Sequence, residues 1–338
     1  MVNSPEGALR CCGTGETPLV VVAGPTASGK TALALRLAEE FSGEIVSCDS
    51  VAIYRGMDVG SAKPSRAERI RVRHHALDLL MPDQAANAGD YARAGRAAIA
   101  EVTARGKLPI VAGGTGLYLR ALLHGLAPAP PRDEALRARL RLATQRHGSE
   151  YLHRMLGRLD RHAAATIHPN DTPKLIRSIE VTLLGRKPQS AQWAAGRDPL
   201  RGYNVLQIGL NPPRAALYSR IDERAAGMFQ RGLLEETAAI QGQFGEAACA
   251  LRSLGYAQAV SVLRGELGLP EAIAEAQQGH RNYAKRQMTW FRREAEMRWL
   301  HGFGDDPEIQ AEALAMVRQH LAHLSLIPAN GAGGKEKA

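Results

Sequence analysis

The chain has 338 residues, of which 45% are apolar and 5% aromatic, and 43 basic against 34 acidic side chains give it a net charge of +9. This composition favours a packed core and excludes wholesale disorder, while the basic excess is compatible with a polyanionic partner. The sequence lacks an apolar run of the roughly 20 residues that span a membrane, an apolar signal segment and any CxxC spacing, so we expect a cytoplasmic protein without a membrane anchor, a disulfide framework or a zinc site.

The predicted elements begin as an α/β protein. Leu19–Ala23 is a short apolar run typical of a buried strand, and Thr31–Phe41 carries apolar side chains at helical spacing. Ile45–Cys48 and Leu108–Ala112 are predicted to be further strands. Strands that alternate with helices predict a P-loop-like core with a mostly parallel sheet, and a ligand site at the carboxyl ends of the strands.

The pattern changes near Pro128, where several prolines mark a boundary. The stretch that follows is predicted to be a helical, arginine-rich insertion, after which Tyr203–Leu210 returns to strand character and a run of helices completes the core. The predicted organisation is a flexible tail at 1–17, a core at 18–128 and 199–328, an insertion at 129–198, and a second flexible tail at 329–338.

A glycine-rich turn follows the first predicted strand and opens the first helix. In such a turn, backbone N–H groups and the helix N-terminus bind phosphate oxygens, Lys30 neutralises charge, and the Thr31 hydroxyl can ligate Mg²⁺. The eight residues fit the pattern GxxxxGK[ST] and are Gly24, Pro25, Thr26, Ala27, Ser28, Gly29, Lys30 and Thr31. They predict a site for a diphosphate or triphosphate.

Asp49, directly after the second predicted strand, is the candidate catalytic carboxylate. Ordinary P-loop NTPases carry a magnesium-binding aspartate after a later strand, whereas Leu108–Ala112 runs into Gly-Gly-Thr-Gly. A carboxylate at Asp49 would point into the crevice beside the phosphate loop and could bind a metal or accept a proton. The alternative is that Asp49 or Ser50 caps a following helix.

These segments, together with later ones, resemble the tRNA dimethylallyltransferase (isopentenyl-tRNA transferase) family of bacterial type. The matching segments are GPTASGKT (24–31), CDSVAIYRGMDVGSAKP (48–64), HHALDLLMP (74–82), LPIVAGGTGLYLRALLHGL (108–126), IHPNDTPKLIRSIEV (167–181), RIDER (220–224), LRSLGYAQ (251–258) and AKRQMTWFRR (284–293). The resemblance implies transfer of a dimethylallyl group from dimethylallyl diphosphate to N6 of the adenine at tRNA position 37, with pyrophosphate released and Mg²⁺ as cofactor. Nothing in the sequence demands more than a monomer.

The resemblance also implies residue roles. Asp49 would be the general base, Lys30 and Thr31 would hold the diphosphate with Mg²⁺, and Arg220 matches a family arginine that contacts pyrophosphate, with a plain surface arginine as the alternative. Contacts with an extruded adenine and its tRNA are implied for Asp49, Ser50, Val51, Ala52, Thr115, Pro173, Lys174, Leu175, Ile176, Arg177, Arg252, Gly255 and Tyr256. Ala257 departs from the family, whose members often carry a basic residue there.

Two basic residues of the last long predicted helix, Arg281 and Lys285, share one helical face. We predict that this face contacts tRNA phosphates, the alternative being a solvated amphipathic helix. The arginines of the insertion suggest a clamp on the RNA in the same way.

Three other functions stay open at this stage. A small-molecule kinase would use the same loop with ATP, and a related prenyltransferase would act on free adenine nucleotides. A non-catalytic tRNA-binding protein would retain the loop as a relic, although intact Lys30, Thr31 and Asp49 argue against it.

Overall fold

A computed structural model describes residues 16–194 and 196–326. The strands span Thr17–Ala23 (β1), Gly43–Cys48 (β2), His74–His75 (β3), Leu108–Gly113 (β4), Tyr203–Leu210 (β5) and Met297–Leu300 (β6). The helices span Lys30–Glu40 (α1), Arg66–Arg71 (α2), Ala88–Ala104 (α3), Gly116–His124 (α4), Glu134–His147 (α5), Ser149–Leu159 (α6), Arg161–Thr166 (α7), Thr172–Gly185 (α8), Gln189–Ala194 (α9), Arg214–Gln230 (α10), Leu233–Phe244 (α11), Tyr256–Leu263 (α12), Leu269–Phe291 (α13) and Pro307–Leu326 (α14).

The strands form one parallel sheet in the order β3-β2-β4-β1-β5-β6. The central strand β1 lies between β4 and β5, and β2 lies on the far side of β4. Because all strands run in the same direction, the segments that follow β1, β2 and β4 meet at one edge of the sheet. The predicted α/β fold with a parallel sheet is confirmed, whereas β3 and β6 were not predicted.

Helices cover both faces of the sheet, and its central strand β1 is accordingly apolar from Leu19 to Ala23. Val20 and Val22 belong to a core cluster that includes residues of α1 and α14. Val21 faces the other way and joins a larger cluster with residues of α3 and α4. A strand buried on both faces needs such an uninterrupted apolar run. None of the helices between residues 16 and 326 is long and apolar enough to cross a membrane.

Residues 124–199 form a compact unit of their own, next to the predicted insertion boundaries of 129–198. Its core includes Leu152, Leu156 and Leu175. Glu180 is fully buried there and accepts hydrogen bonds from Arg137 and Arg177. Although burial raises the pKa of Glu180, these two arginines lower it to about 2. The charges therefore help to hold the helices of this unit together.

The remaining described residues, 16–123 and 200–326, belong to the second unit, which contains the whole sheet. Thr17, predicted to be the last residue of a flexible tail, is instead the first residue of β1. The rest of the predicted N-terminal tail, apart from Glu16, and the whole of the predicted tail at 329–338 lie outside the described residues.

Candidate active site

The phosphate-binding loop leaves β1 at Gly24 and enters α1 at Lys30. Gly29 adopts a left-handed conformation with φ of 84°, and a Cβ atom there would lie 2.5 Å from Oδ1 of Asp305. The backbone N–H of Gly304 donates to the carbonyl oxygen of Ser28 at 2.9 Å. The loop therefore needs glycine at position 29, because the segment after β6 packs directly against it.

A cavity opens beside this loop, at the edge of the sheet where β2 and β4 end. Its walls come from the loop, from the residues after β2 and β4, and from α10 and α13. The polar side chains that line it include Thr26, Lys30, Thr31, Ser47, Asp49, Ser61, Lys63, His74, Arg224, Tyr283 and Gln287.

Asp49 is held in this cavity by a tight turn. Its Oδ1 accepts the backbone N–H groups of Val51 and Ala52 at 2.8 and 3.2 Å. Both bonds use Oδ1, which leaves Oδ2 for a proton or a ligand. The alternative that Asp49 caps a helix is wrong, because the chain forms a turn here and the next helix begins at Arg66.

Ser50 and Thr115, both predicted to contact tRNA, lie together next to Asp49. The backbone N–H of Ser50 donates to Oγ1 of Thr115 at 3.1 Å, and the N–H of Thr115 donates to the carbonyl oxygen of Cys48 at 3.3 Å. These bonds fasten the end of β2 to the end of β4. The carboxylate and two hydroxyls thus occupy one corner of the cavity.

Two cations share the cavity with Asp49. Lys30 Nζ donates to the carbonyl oxygen of Pro25 at 2.6 Å, and Arg224 Nη2 lies 3.4 Å from the carbonyl oxygen of Ser61. Among the described residues, the hydrogen bonds of both cations go to backbone carbonyl oxygens, and the buried Nε of Arg224 has no hydrogen-bond partner. Such an arrangement suits an anionic ligand, because desolvated cations need compensating charge.

Burial also changes how these cations titrate. It lowers the pKa of Lys30 to about 7, with a further decrease from Arg224 and an opposing increase from Asp49. Burial likewise lowers the pKa of Arg224, and Asp49 partly offsets the decrease. A bound anion would restore the charged state of Lys30.

Arg220, rather than Arg224, was the arginine predicted from the sequence to contact pyrophosphate. Its Nη1 bonds both carboxylate oxygens of Asp305 at 2.7 and 2.8 Å, and its guanidinium lies 3.7 Å from the centroid of the Phe303 ring. It lies at the outer mouth of the phosphate loop, where its side chain is 39% exposed. The structure therefore favours Arg224 for the diphosphate. The two arginines are one helical turn apart on one face, so sequence spacing could not separate them.

Gln287 and Tyr283 of α13 complete the cavity, and neither was predicted as a site residue. Gln287 accepts the N–H of Thr26 and donates to the carbonyl oxygen of Gly114, both at 2.8 Å. Burial, and next the charge of Asp49, raise the pKa of Tyr283 to about 12, while a hydrogen bond with Thr115 opposes the increase. Tyr283 is therefore a neutral hydroxyl beside the carboxylate.

Comparison with known proteins decides the family. The sequence model of the IPP transferase family matches residues 52–294. A tRNA dimethylallyltransferase of Koribacter versatilis is 58% identical over 300 residues, which cover 89% of this chain and 98% of that protein. This chain belongs to the IPP transferase family. A second relative, the tRNA dimethylallyltransferase of Solibacter usitatus, is 52% identical over 90% of this chain and 99% of its own length.

Solved structures agree with this assignment. A tRNA isopentenylpyrophosphate transferase from Bacillus halodurans superposes with a TM-score of 0.68 and 34% identity, over 92% of this chain and 98% of that one. A eukaryotic dimethylallyltransferase acting on tRNA shares the fold, with a TM-score of 0.77 and 22% identity over 94% and 81% of the two chains. The fold of this IPP transferase is thus found in both bacterial and eukaryotic enzymes.

Several residues expected to contact tRNA are buried in this IPP transferase. Tyr256 is 0% exposed, Leu175 is 0% exposed and Ile176 is 6% exposed, because they pack in the cores of their units. Ala52 is also buried, at 4%. Their side chains offer little surface to a partner in this structure, and contact between these residues and tRNA stays a prediction.

The other residues expected to contact tRNA differ in whether their side chains are paired with a carboxylate and in whether they are exposed. Lys174 is paired with Asp171, Arg177 with Glu180, and Arg281 bonds both carboxylate oxygens of Asp222 at 2.5 and 2.6 Å. Pro173, Arg252 and Lys285 are exposed, whereas Gly255 is buried. For the paired and exposed residues of this IPP transferase, contact with tRNA stays a prediction.

Lys285 lines a surface groove next to the phosphate loop. Arg214 and Arg292 also line it, with Tyr218 and Pro25. Three cations and an aromatic ring in one groove match the chemistry of a nucleotide, which offers phosphate oxygens and a flat base.

Proposed function

We propose that this chain transfers the dimethylallyl group of dimethylallyl diphosphate to N6 of the adenine at tRNA position 37, and releases pyrophosphate. The observation that carries the proposal is one cavity that joins the phosphate-loop cation Lys30, the guanidinium of Arg224 and the anchored carboxylate of Asp49. The names of the curated relatives, tRNA dimethylallyltransferase, support it.

The phosphate loop would hold the diphosphate as a leaving group. Backbone N–H groups at the start of α1, together with Lys30 and Arg224, would stabilise the negative charge that grows on the departing oxygen. Since the donor carbon is allylic, it tolerates partial positive charge, and stabilising the leaving group supplies most of the activation.

Mg²⁺ is the expected cofactor, and the residues present fit it. In phosphate sites this ion takes one or two protein oxygens and completes its shell with phosphate and water oxygens. The Thr31 hydroxyl lines the cavity beside Lys30 and would be the protein ligand of the ion. When bound, the ion would neutralise charge on the diphosphate.

Asp49 would act on the acceptor. As the bond between N6 and the donor carbon forms, the bond from that carbon to the diphosphate oxygen breaks, and N6 must lose one proton. Oδ2 of Asp49 would accept that proton, since Oδ1 is occupied by the turn. The adenine must leave its base stack to reach this position.

Contact with the tRNA backbone would come from exposed cations. The groove with Arg214, Lys285 and Arg292 is the best placed in the sheet-containing unit, because it adjoins the phosphate loop through Pro25. The net charge of +9 supports a polyanionic substrate.

We propose that the enzyme works on tRNA in the cytoplasm as a monomer.

The test is incubation of the purified protein with dimethylallyl diphosphate, Mg²⁺ and unmodified tRNA carrying adenine at position 37, followed by nucleoside mass spectrometry. We expect one dimethylallyl group on that adenosine, and none on a matched tRNA with guanine at position 37. Prenylation of free AMP without modification of tRNA would instead establish a nucleotide prenyltransferase. Phosphoryl transfer from ATP would establish a kinase.

A further inference from the structure

A single carboxylate, Glu236 of α11, gathers four hydrogen-bond donors. Its oxygens accept the backbone N–H groups of Asp58, Val59 and Gly60 at 2.9 to 3.2 Å. The hydroxyl of Tyr256 donates to Oε1 at 2.5 Å. Three consecutive N–H groups around one carboxylate fix the path of the backbone more firmly than a single contact would.

The segment bound in this way, residues 57–64, is one wall of the active-site cavity. Ser61, Lys63 and Pro64 line the cavity. The wall segment also packs against the ring of Tyr256, since a Cβ atom on Gly60 would lie 2.4 Å from Cε2 of that ring. Contacts from Glu236 of α11 and Tyr256 of α12 thus fix the position of the wall segment.

The wall segment in turn holds a cation of the site. The carbonyl oxygen of Ser61 is the acceptor for Nη2 of Arg224, and the Nε of Arg224 has no partner among the described residues. A movement of the wall segment would therefore remove the hydrogen bond that holds this guanidinium in the cavity that Lys30 also lines. Lys63 also holds the wall segment in place, since its buried ammonium forms ion pairs of 2.7 Å each with Asp58 and Asp78.

We infer that Glu236 is a positioning residue of the diphosphate site, which acts through the wall segment on Arg224. The inference rests on the proposed function for the identity of the donor. Tyr256 supports the same wall segment, because its hydroxyl donates to Glu236 and its ring packs against Gly60. This role explains why an aromatic side chain is buried at a position where the family resemblance implied contact with RNA.

The test compares Glu236→Gln and Tyr256→Phe with Glu235→Gln, a control on the same helix whose side chain is exposed. Glu236→Gln replaces one carboxylate oxygen with an NH₂ group, which cannot accept a hydrogen bond from any of the four donors. The variant should therefore raise the KM for dimethylallyl diphosphate about tenfold, with a smaller change in kcat. Tyr256→Phe should raise the same KM by less. Glu235→Gln should match the wild type.

A double-mutant cycle separates positioning from plain stabilisation. If Glu236 acts through Arg224, Glu236→Gln should add little to the KM of Arg224→Lys. Equal effects in both backgrounds, or a lower Tm with unchanged KM, would overturn the inference. Binding of inorganic pyrophosphate with Mg²⁺, measured by calorimetry, gives the same cycle without turnover. Wild-type protein that binds pyrophosphate but prenylates nothing would refute the proposed function and leave the role of Glu236 decided by the binding data.

Discussion

Gln287 and Thr26 lie 261 positions apart in the chain, and the side-chain Oε1 of Gln287 accepts the backbone N–H of Thr26 at 2.8 Å. The other end of the same amide donates to the carbonyl oxygen of Gly114. One buried side chain of α13 therefore connects the phosphate loop after β1 with the turn after β4, the two segments that flank the reacting groups.

Gln287→Glu should lower both activity and stability. A carboxylate can still accept the N–H of Thr26, but it cannot donate to Gly114 and would face that carbonyl at close range in a buried site. The expected loss is about 1–3 kcal/mol of stability, measured by denaturant unfolding, with a lower kcat/KM. Gln278→Glu, on the exposed side of the same helix, serves as the control for stability and should unfold like the wild type.

Asp49→Asn should abolish most of the prenyl transfer and leave the site assembled. The amide Oδ1 can still accept the N–H groups of Val51 and Ala52, but the side chain no longer accepts a proton at neutral pH. We expect kcat to fall by a factor of about 10²–10⁴ in single-turnover assays, with tRNA affinity in filter binding unchanged. Turnover at the wild-type rate would remove Asp49 from the role of base.

The two arginines of α10 should differ in their effects on donor binding. Arg224→Ala should weaken binding of dimethylallyl diphosphate by a factor of about 10–100, since a charge-assisted hydrogen bond is worth roughly 1.5–3 kcal/mol. Arg220→Ala should have a smaller effect, because Arg220 is already paired with Asp305. Steady-state kinetics with varied donor would measure both, and a larger effect of Arg220→Ala would restore the assignment made from the sequence.

Pyrophosphate binding should take up a proton at alkaline pH. Free Lys30 has a pKa of about 7 because it is buried, so above pH 7 it is mostly neutral, and an anion beside it raises the pKa and recharges it. Affinity contributed by Lys30 is therefore present below pH 7 and decreases as the pH rises above it. Calorimetry at pH 8 in buffers of different ionisation enthalpy measures the uptake.

Lys30→Arg is the matched control for that experiment, because arginine stays protonated throughout the range. The titration of pyrophosphate itself is common to both proteins, so the difference between them reports Lys30. Equal proton uptake by the variant and the wild type would contradict the lowered pKa.

The sequence by itself determined the chemistry of the phosphate loop and the candidate base. Residues 24–31 are contiguous, and a glycine-rich turn between a strand and a helix binds phosphate through its own backbone, so no distant contact is needed to recognise it. Asp49 could be found for a similar reason, since it directly follows a strand whose carboxyl end must face the ligand in a parallel sheet.

Only the tertiary structure decided which other side chains serve the cavity. Arg220 and Arg224 have the same helical phase, and the choice between them depends on Asp305 and Phe303, which come from the segment after β6. Gln287 and Glu236 act on backbone groups more than 170 positions away. Hydrogen bonds of this kind leave no periodic pattern in the sequence, because their partners become neighbours only when the sheet and its helices assemble.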